Sequence, residues 1–234
     1  MATLAGHAGD CERIIDGLLD QPVNALSSLA LVVAGVVVFT RVRVHPTREP
    51  VGVMAGVLIL AGLGSAAFHG FGGRVATWVH DASLTGLPAL LLTIEVSRRS
   101  GKRWSAVSWW AAWTGIAAVS WISPAITLTI AAGAAAAAVI LVLAPARRSQ
   151  PDSNRAIDND RRRSLLPPIA LMAAGFIVFQ LSRTDGPLCD PDSLLQGHAV
   201  WHVLAGAGLA AYGVRISRDA PSGPVATPAS RRRR

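Results

Sequence analysis

The sequence has few charged residues for its length. Only 15% of its 234 residues are Asp, Glu, Lys or Arg, while 51% are hydrophobic. A soluble domain usually carries roughly a quarter charged residues, so this shortage argues against a soluble chain. It indicates that lipid is much of the solvent, and we predict an integral membrane protein.

Cysteine is also scarce, and no secretory signal is visible. Cys11 and Cys189 are too few for a disulfide-rich scaffold and lack metal-site spacing. The first 20 residues contain four acidic residues rather than a basic stretch followed by an apolar core. The first apolar helix is therefore expected to act as its own targeting signal.

Seven apolar segments come close to the ~20 residues that a helix needs to cross the hydrocarbon core. They cover residues 22–40, 50–69, 75–97, 104–123, 125–144, 165–182 and 198–215. The sequence therefore predicts an all-α membrane protein, a bundle of seven transmembrane helices.

The basic residues are concentrated on one side of this bundle. The loops 41–49, 98–103 and 145–164 and the tail from Arg215 hold 19 of the 22 Lys and Arg residues. Such loops stay in the cytoplasm, so the N-terminus is predicted outside and the C-terminus inside. The net charge of +8 then reflects membrane topology, and no nucleic-acid partner is predicted.

Three parts follow from this topology. Residues 1–21 form an extracytoplasmic segment, residues 22–215 the transmembrane domain, and residues 216–234 a basic, disordered cytoplasmic tail. The stretch 145–164, rich in Arg, Pro, Ser and Asp, is predicted to be a linker. Abundant Arg and Ala with a single Lys suggest a GC-rich genome and hence a multi-pass protein of a bacterial cell membrane.

Four of the six histidines fall at the outer ends of predicted helices, where ionisable groups usually mark function. His198 and His202 are four apart and share one face of the seventh helix, and His69 ends the second. Asp190-Pro191 is predicted to begin the seventh helix. That start places His198 about 10 Å along the helix, slightly below the outer surface.

Ser65, His80 and Asp81 lie at the same depth. Adjacent helical residues point about 100° apart, so His80 and Asp81 cannot both face one centre, and spacing leaves the choice open. Three imidazoles with an open fourth position form a catalytic zinc arrangement, in which a carboxylate could transfer protons and a serine could donate to an oxyanion. A chance histidine pair or an interhelical hydrogen bond is the simpler alternative.

The same residues carry a family resemblance. The chain resembles the alkaline ceramidases, within the superfamily that includes the adiponectin and progestin receptors. The similar pieces are Cys11-Glu12, QPVNALSSL at 21–29, SAAFH at 65–69, Asp81 and HAVWH at 198–202. Their order and spacing in the seven-helix frame cover most of the chain.

The resemblance implies an intramembrane amidase that hydrolyses ceramide and uses zinc. It implies that the zinc ligands are His69, His198 and His202. It also implies that Ser65 and Asp81 assist catalysis, which leaves His80 as a neighbouring group.

Both cysteines are predicted on the outer side, where an oxidising compartment would permit a disulfide, and two free thiols are the alternative. The paired cysteines of the family resemble Cys11 and Cys189 and favour the bridge. Asn24 and Ser27 match the family's first-helix motif, either as a polar contact between helices or as a direct part of the site.

The segment before the first helix departs from the calcium-dependent members. Their Asp-Trp-Cys-Glu-x-Asn pattern is replaced here by residues 9–14, and Gln21 stands in place of a later glutamate. Arg13 and Ile14 offer no carboxylate or amide oxygen to a hard cation, so a calcium site is doubtful. Three acidic side chains could compensate, namely Asp10, Asp16 and Asp20.

The leading prediction is a zinc-dependent intramembrane hydrolase that cleaves the amide bond of ceramide or a related N-acyl lipid. The alternative is a receptor-like or regulatory membrane protein with a structural zinc closed by His80 or Asp81. A metal transporter is a third reading, with no second ligand cluster visible in the bundle to support it. Glu95, at the inner end of the third helix, is expected to snorkel.

Overall fold

A computed structural model describes residues 9–43, 49–100, 105–145 and 152–218. These residues are helical apart from the connecting segments and an isolated antiparallel bridge between Asp10 and Arg183. The helices are α1 (Pro22–Ser27), α2 (Leu29–Arg43), α3 (Glu49–Phe71), α4 (Arg74–Ser100), α5 (Ala106–Ile122), α6 (Pro124–Leu143), α7 (Asp152–Leu181) and α8 (Gly197–Arg218).

Each predicted transmembrane segment overlaps a helix, with α1 and α2 sharing the first. Four stretches are long and apolar enough to cross a membrane, namely Pro22–Arg41, Pro50–Phe71, Ala156–Leu181 and Gly197–Arg218. By contrast, α5 has only 17 residues, and α4 carries charged side chains along its length. The all-α membrane architecture is confirmed, and the count of seven spans stays a prediction.

Helix α3 is the centre of the bundle. It packs against α2, α4, α5 and α8, and its Met54 and Leu58 are fully buried. On either side, α8 packs between α2 and α7, while α4 packs against α6. This arrangement brings the C-terminal end of α3 beside the first turns of α4 and α8, where the predicted site residues lie.

A tight reversal joins α3 to α4. Gly72 and Gly73 have φ values of 63° and 88°, in the left-handed region that costs glycine little. A Cβ atom at Gly64 would lie 2.8 Å from Val79 Cγ1 and 3.0 Å from the backbone nitrogen of His80. The absence of a side chain at Gly64 therefore lets α4 approach α3 closely beside the site.

The start of α7 corrects the predicted linker. The helix begins at Asp152, so the second part of the stretch 145–164 is helical, and Pro167 and Pro168 lie inside the helix. The polar first half of α7 is held by Asp158 and Arg161, which pair with α4. Composition alone does not reveal such a tertiary contact.

The predicted start of the seventh transmembrane helix at Asp190-Pro191 is also wrong. Helix α8 begins at Gly197, which places His198 in its first turn. The Asp190 carboxylate instead accepts a hydrogen bond from the N–H of Asp192 within the loop. At its other end α8 continues to Arg218, and the rest of the predicted tail, residues 219–234, lies outside the described residues.

Glu95 does not snorkel. Its side chain is fully buried and accepts hydrogen bonds from Arg161 at 2.6 and 3.1 Å, from the Tyr212 hydroxyl at 2.8 Å and from Arg98 at 3.1 Å. These contacts join α4, α7 and α8 at the opposite end of α4 and α8 from the histidines. Arg161 is itself 5% exposed, so the carboxylate offsets a buried positive charge.

Changing Glu95 to Ala is therefore expected to destabilise the protein by about 3–5 kcal/mol, because the Arg161 charge loses its carboxylate. Thermal unfolding in detergent measures the effect. Asp160→Asn is the control, because that side chain is 82% exposed and its pair with Arg215 should contribute at most about 1 kcal/mol. Equal stability of wild type and Glu95→Ala would show that this pairing does not hold the bundle together.

Candidate metal centre

Three histidines from two helices form one cluster. His69 lies in the last turn of α3, and His198 and His202 lie in the first two turns of α8. Their ring centroids are 4.7 Å (His69–His198), 5.5 Å (His69–His202) and 4.6 Å (His198–His202) apart. One ligand atom from each ring lies within 4.8 Å of the others, so the group could hold a metal ion.

The cluster lies in a largely dry environment. His69 is 0% exposed and His202 is 2% exposed. Aromatic rings cover two sides, with Phe68 centred 4.9 Å from His69 and Phe179 centred 4.7 Å from His198. Exclusion of water strengthens electrostatic interactions at such a centre.

The Nδ1 atoms of two rings meet oxygen acceptors. His69 Nδ1 lies 2.8 Å from Gln21 Oε1, and the Gln21 amide is oriented because its Nε2 donates to the Glu12 carbonyl oxygen at 2.8 Å. His198 Nδ1 lies 2.8 Å from the Asp10 carboxylate. Both rings therefore carry their proton on Nδ1, since amide and carboxylate oxygens accept it.

His202 follows the same pattern through a serine. Its Nδ1 lies 2.9 Å from Ser27 Oγ, whose own proton is donated to the Asn24 carbonyl oxygen at 3.0 Å. The Ser27 oxygen is thus left to accept from the Nδ1–H of His202. With Nδ1 protonated in all three rings, Nε2 is the nitrogen that each can offer to a metal.

Ser65 lies directly beside this cluster. Its Oγ is 3.2 Å from His202 Nε2 and 2.9 Å from Ser28 Oγ, and the residue is 1% exposed. The helical spacing with His69 brings both side chains to the same face of α3. The hydroxyl is within reach of anything that the Nε2 atom of His202 binds.

Asp81 contacts the site through His80. Its carboxylate lies 2.9 Å from His80 Nδ1, and its side chain is 31% exposed, against 12% for His80. The His80 ring stacks on Phe68 at 4.8 Å and is centred 6.1 Å from His69. The sequence left the choice between the two residues open. In the structure they form a pair, with the histidine ring packed beside the cluster.

Residues that precede α1 cover one end of the site. Cys11 and Cys189 form a disulfide, which confirms the predicted pairing. Glu12 accepts hydrogen bonds from the N–H groups of Val23 and Asn24 at 2.7 and 2.8 Å and so caps α1, where Gln21 provides no side-chain cap. Burial raises the pKa of the Glu12 carboxyl above its ordinary value, while these two N–H groups act to lower it.

Sequence reasoning missed the roles of Asp10, Gln21 and Ser28. A signal existed for the last two, because Gln21, Asn24 and Ser28 recur at helical spacing on one face of the first span. No sequence pattern indicated that Asp10 reaches a histidine of α8. Asn24 is fully buried, and neither of its amide atoms has a hydrogen-bond partner among the described residues.

The chain matches one known protein family over most of its length. A sequence profile of the family described as Ceramidase matches residues 20–218. The chain belongs to the ceramidase family. The match covers the three clustered histidines together with Ser65, His80 and Asp81, whereas Asp10 and Cys11 lie before it. No curated protein and no solved structure gives a significant match to the chain.

The segment that departs from the calcium-dependent pattern has protein partners in this ceramidase-family chain. Asp10 binds His198, Glu12 caps α1, and Arg13 pairs with Asp192 at 2.6 Å. Within the described parts of the chain, the histidine cluster is the one group of three or more His, Cys, Asp or Glu side chains placed to hold a metal. The sequence makes a calcium site doubtful, and that stays a prediction.

Proposed function

We propose that this protein is a zinc-dependent hydrolase of the membrane, which cleaves the amide bond of ceramide or a related N-acyl lipid to a fatty acid and an amine. The observation that carries the proposal is the cluster of His69, His198 and His202 with the Ser65 hydroxyl 3.2 Å from a ligand nitrogen. Membership of the ceramidase family supports the reaction class.

The donor set fits zinc. Imidazole nitrogen is an ordinary zinc ligand, and an oxygen acceptor on Nδ1 is the usual way to orient such a ring. Zinc bound there would polarise a carbonyl oxygen and lower the pKa of bound water towards ~7. The preset Nδ1 protons of the three rings mean that no tautomer has to change when the metal binds.

The number of ligands favours a hydrolase over a receptor with structural zinc. Structural zinc sites are closed by four protein ligands, while catalytic sites have three and an open position. Among the described residues, the group placed to hold a metal contains these three histidines and no fourth His, Cys, Asp or Glu. The nearby Asp10 carboxylate faces Nδ1 of His198 and not the Nε2 atom that would bind the metal. His80 directs its Nδ1 atom to Asp81 rather than to the histidines.

Ser65 and Asp81 are proposed as the catalytic side chains. Hydrolysis adds the oxygen of one water to the acyl carbon, breaks the C–N bond and delivers a proton to the leaving amine. The Ser65 hydroxyl can donate a hydrogen bond to the carbonyl oxygen as negative charge develops on it. The Asp81–His80 pair is the group placed to carry the proton.

The membrane arrangement belongs to the same proposal. All seven predicted segments would cross the bilayer, with the N-terminus and the histidine cluster on the outer side and the Glu95 cluster on the inner side. A centre buried at the outer ends of α3 and α8 would then receive an amide that lies just below the lipid headgroups. An apolar N-acyl substrate reaches that depth without leaving the membrane.

The test is release of fatty acid by the purified protein in detergent. Ceramide, an N-acyl amino acid and an N-acyl ethanolamine would be compared, and an untargeted lipid analysis of membranes treated with wild type or His198→Ala would find other substrates. The expected result is a fatty acid and an amine from at least one N-acyl lipid, with about one zinc bound. A protein that holds zinc and cleaves none of them would support the receptor-like alternative.

A further inference from the structure

Asp10 contacts the histidine cluster from the segment that precedes α1. One carboxylate oxygen lies 2.8 Å from His198 Nδ1, and the other lies 3.7 Å from His69 Nδ1. The Asp10 side chain is only 11% exposed. One carboxylate therefore faces two rings that come from different helices, α3 and α8.

The placement of Asp10 depends on contacts along its own segment. Asp10 pairs through its backbone with Arg183, and its carbonyl oxygen accepts a hydrogen bond from the Thr184 hydroxyl at 3.1 Å. The next residue, Cys11, is bonded to Cys189. The N-terminal segment (residues 9–20) is thus fastened to the loop 182–196 on both sides of the carboxylate.

We propose that Asp10 is a positioning residue of the metal centre, which orients the ring of His198, and that the Cys11–Cys189 disulfide holds it there. The inference rests on the metal centre of the proposed hydrolase and does not depend on its substrate. A carboxylate on Nδ1 fixes the ring plane and makes Nε2 a stronger donor to the metal. Because Asp10 lies 188 residues from His198 in sequence, its contact forms only when the segment is fastened.

Asp10→Ala is expected to lower the affinity for zinc about 10- to 100-fold, the usual cost of losing such an orienting partner. Competition with a chromogenic chelator measures the dissociation constant of the full-length protein in detergent. Asp10→Asn should lose less affinity for zinc, because its amide oxygen can still accept a hydrogen bond from the Nδ1–H of His198. Asp16→Ala is the matched control, since it removes the same charge from an exposed side chain of the same segment.

The stability of the metal-free protein separates positioning from a merely structural role. Asp10→Ala should lower the melting temperature more when both proteins are given equal zinc than when both lack it, because only the first comparison includes the weakened metal binding. Raising the zinc concentration should restore turnover. Wild-type affinity for zinc in Asp10→Ala, or an equal loss of melting temperature with and without zinc, would overturn the assignment.

A mutational cycle tests the disulfide. The double substitution Cys11→Ala with Cys189→Ala should lower zinc affinity by a factor in the same range, and adding Asp10→Ala should lower it little further, because both changes act through one contact. If the two losses multiply, the disulfide does not act through Asp10, and that half of the proposal is wrong. These affinities are informative even if the protein hydrolyses no N-acyl lipid.

Discussion

Changing His202 to Ala is expected to abolish stoichiometric zinc binding and, with it, the release of fatty acid. His202 supplies one of three clustered imidazoles and is also the ring nearest to Ser65. Zinc held there would supply several kcal/mol of charge stabilisation in the transition state, so we expect a loss of at least about 1,000-fold in turnover. Zinc content and fatty acid release, measured on the same preparation, test both parts.

The neighbouring residue provides the control. Val203 follows His202 on α8 and is 51% exposed, so Val203→Ala should keep both zinc and turnover. A second measurement guards against a His202→Ala protein that does not fold. Removal of the metal from wild type with a strong chelator should stop hydrolysis, and added zinc should restore it. Full turnover by metal-free protein would contradict the zinc mechanism.

Asp81→Asn is expected to keep zinc and to lower kcat by about 100- to 10,000-fold, the range for loss of a general acid–base group. Asparagine has nearly the same shape but cannot take up or stabilise a proton. The reason to expect retained zinc is that Asp81 contacts His80 rather than the three clustered histidines. Metal analysis together with the kinetics of fatty acid release measures the two effects separately.

Because His80 pairs with Asp81, the prediction extends to variants of His80. If the two side chains move the proton as a unit, His80→Gln should cause a similar loss, and the double variant should be little worse than either single one. If the losses in kcat of the two single variants multiply in the double variant, Asp81 acts without His80. Thr93→Val on the same helix is the control, because the Thr93 hydroxyl bonds only a carbonyl within α4. An Asp81→Asn protein with zinc and full turnover would refute the proton-transfer role.

Several features of the site could be predicted because they depend on local spacing. His198 and His202 share a helix face wherever their helix packs in the bundle, because residues four apart stack on one side of a helix. The same holds for Ser65 and His69. The distribution of Lys and Arg predicts that these ends of the helices lie at one level. The structure brings the three histidines and Ser65 together as those two observations predicted.

Other features could not be predicted because they depend on partners distant in sequence. The sequence predicts that Glu95 snorkels, yet Arg161 from α7 pairs with its charge and Tyr212 from α8 donates a hydrogen bond to it. The same contacts extend α7 into a stretch whose composition is typical of a linker. Asp190-Pro191 predicts a helix start in the loop before α8, whereas in the structure the Asp190 carboxylate accepts a hydrogen bond within a local turn.

The sequence by itself determined the all-helical membrane class and the helix faces that carry the clustered histidines, because apolar length and helical periodicity are local properties. Only the tertiary structure decided how the ligands are oriented. Asp10 reaches His198 across 188 residues of sequence, and Asp81 meets the site by way of His80. The direction of a side chain depends on which helices pack beside it, and that packing is a property of the whole bundle rather than of any one segment.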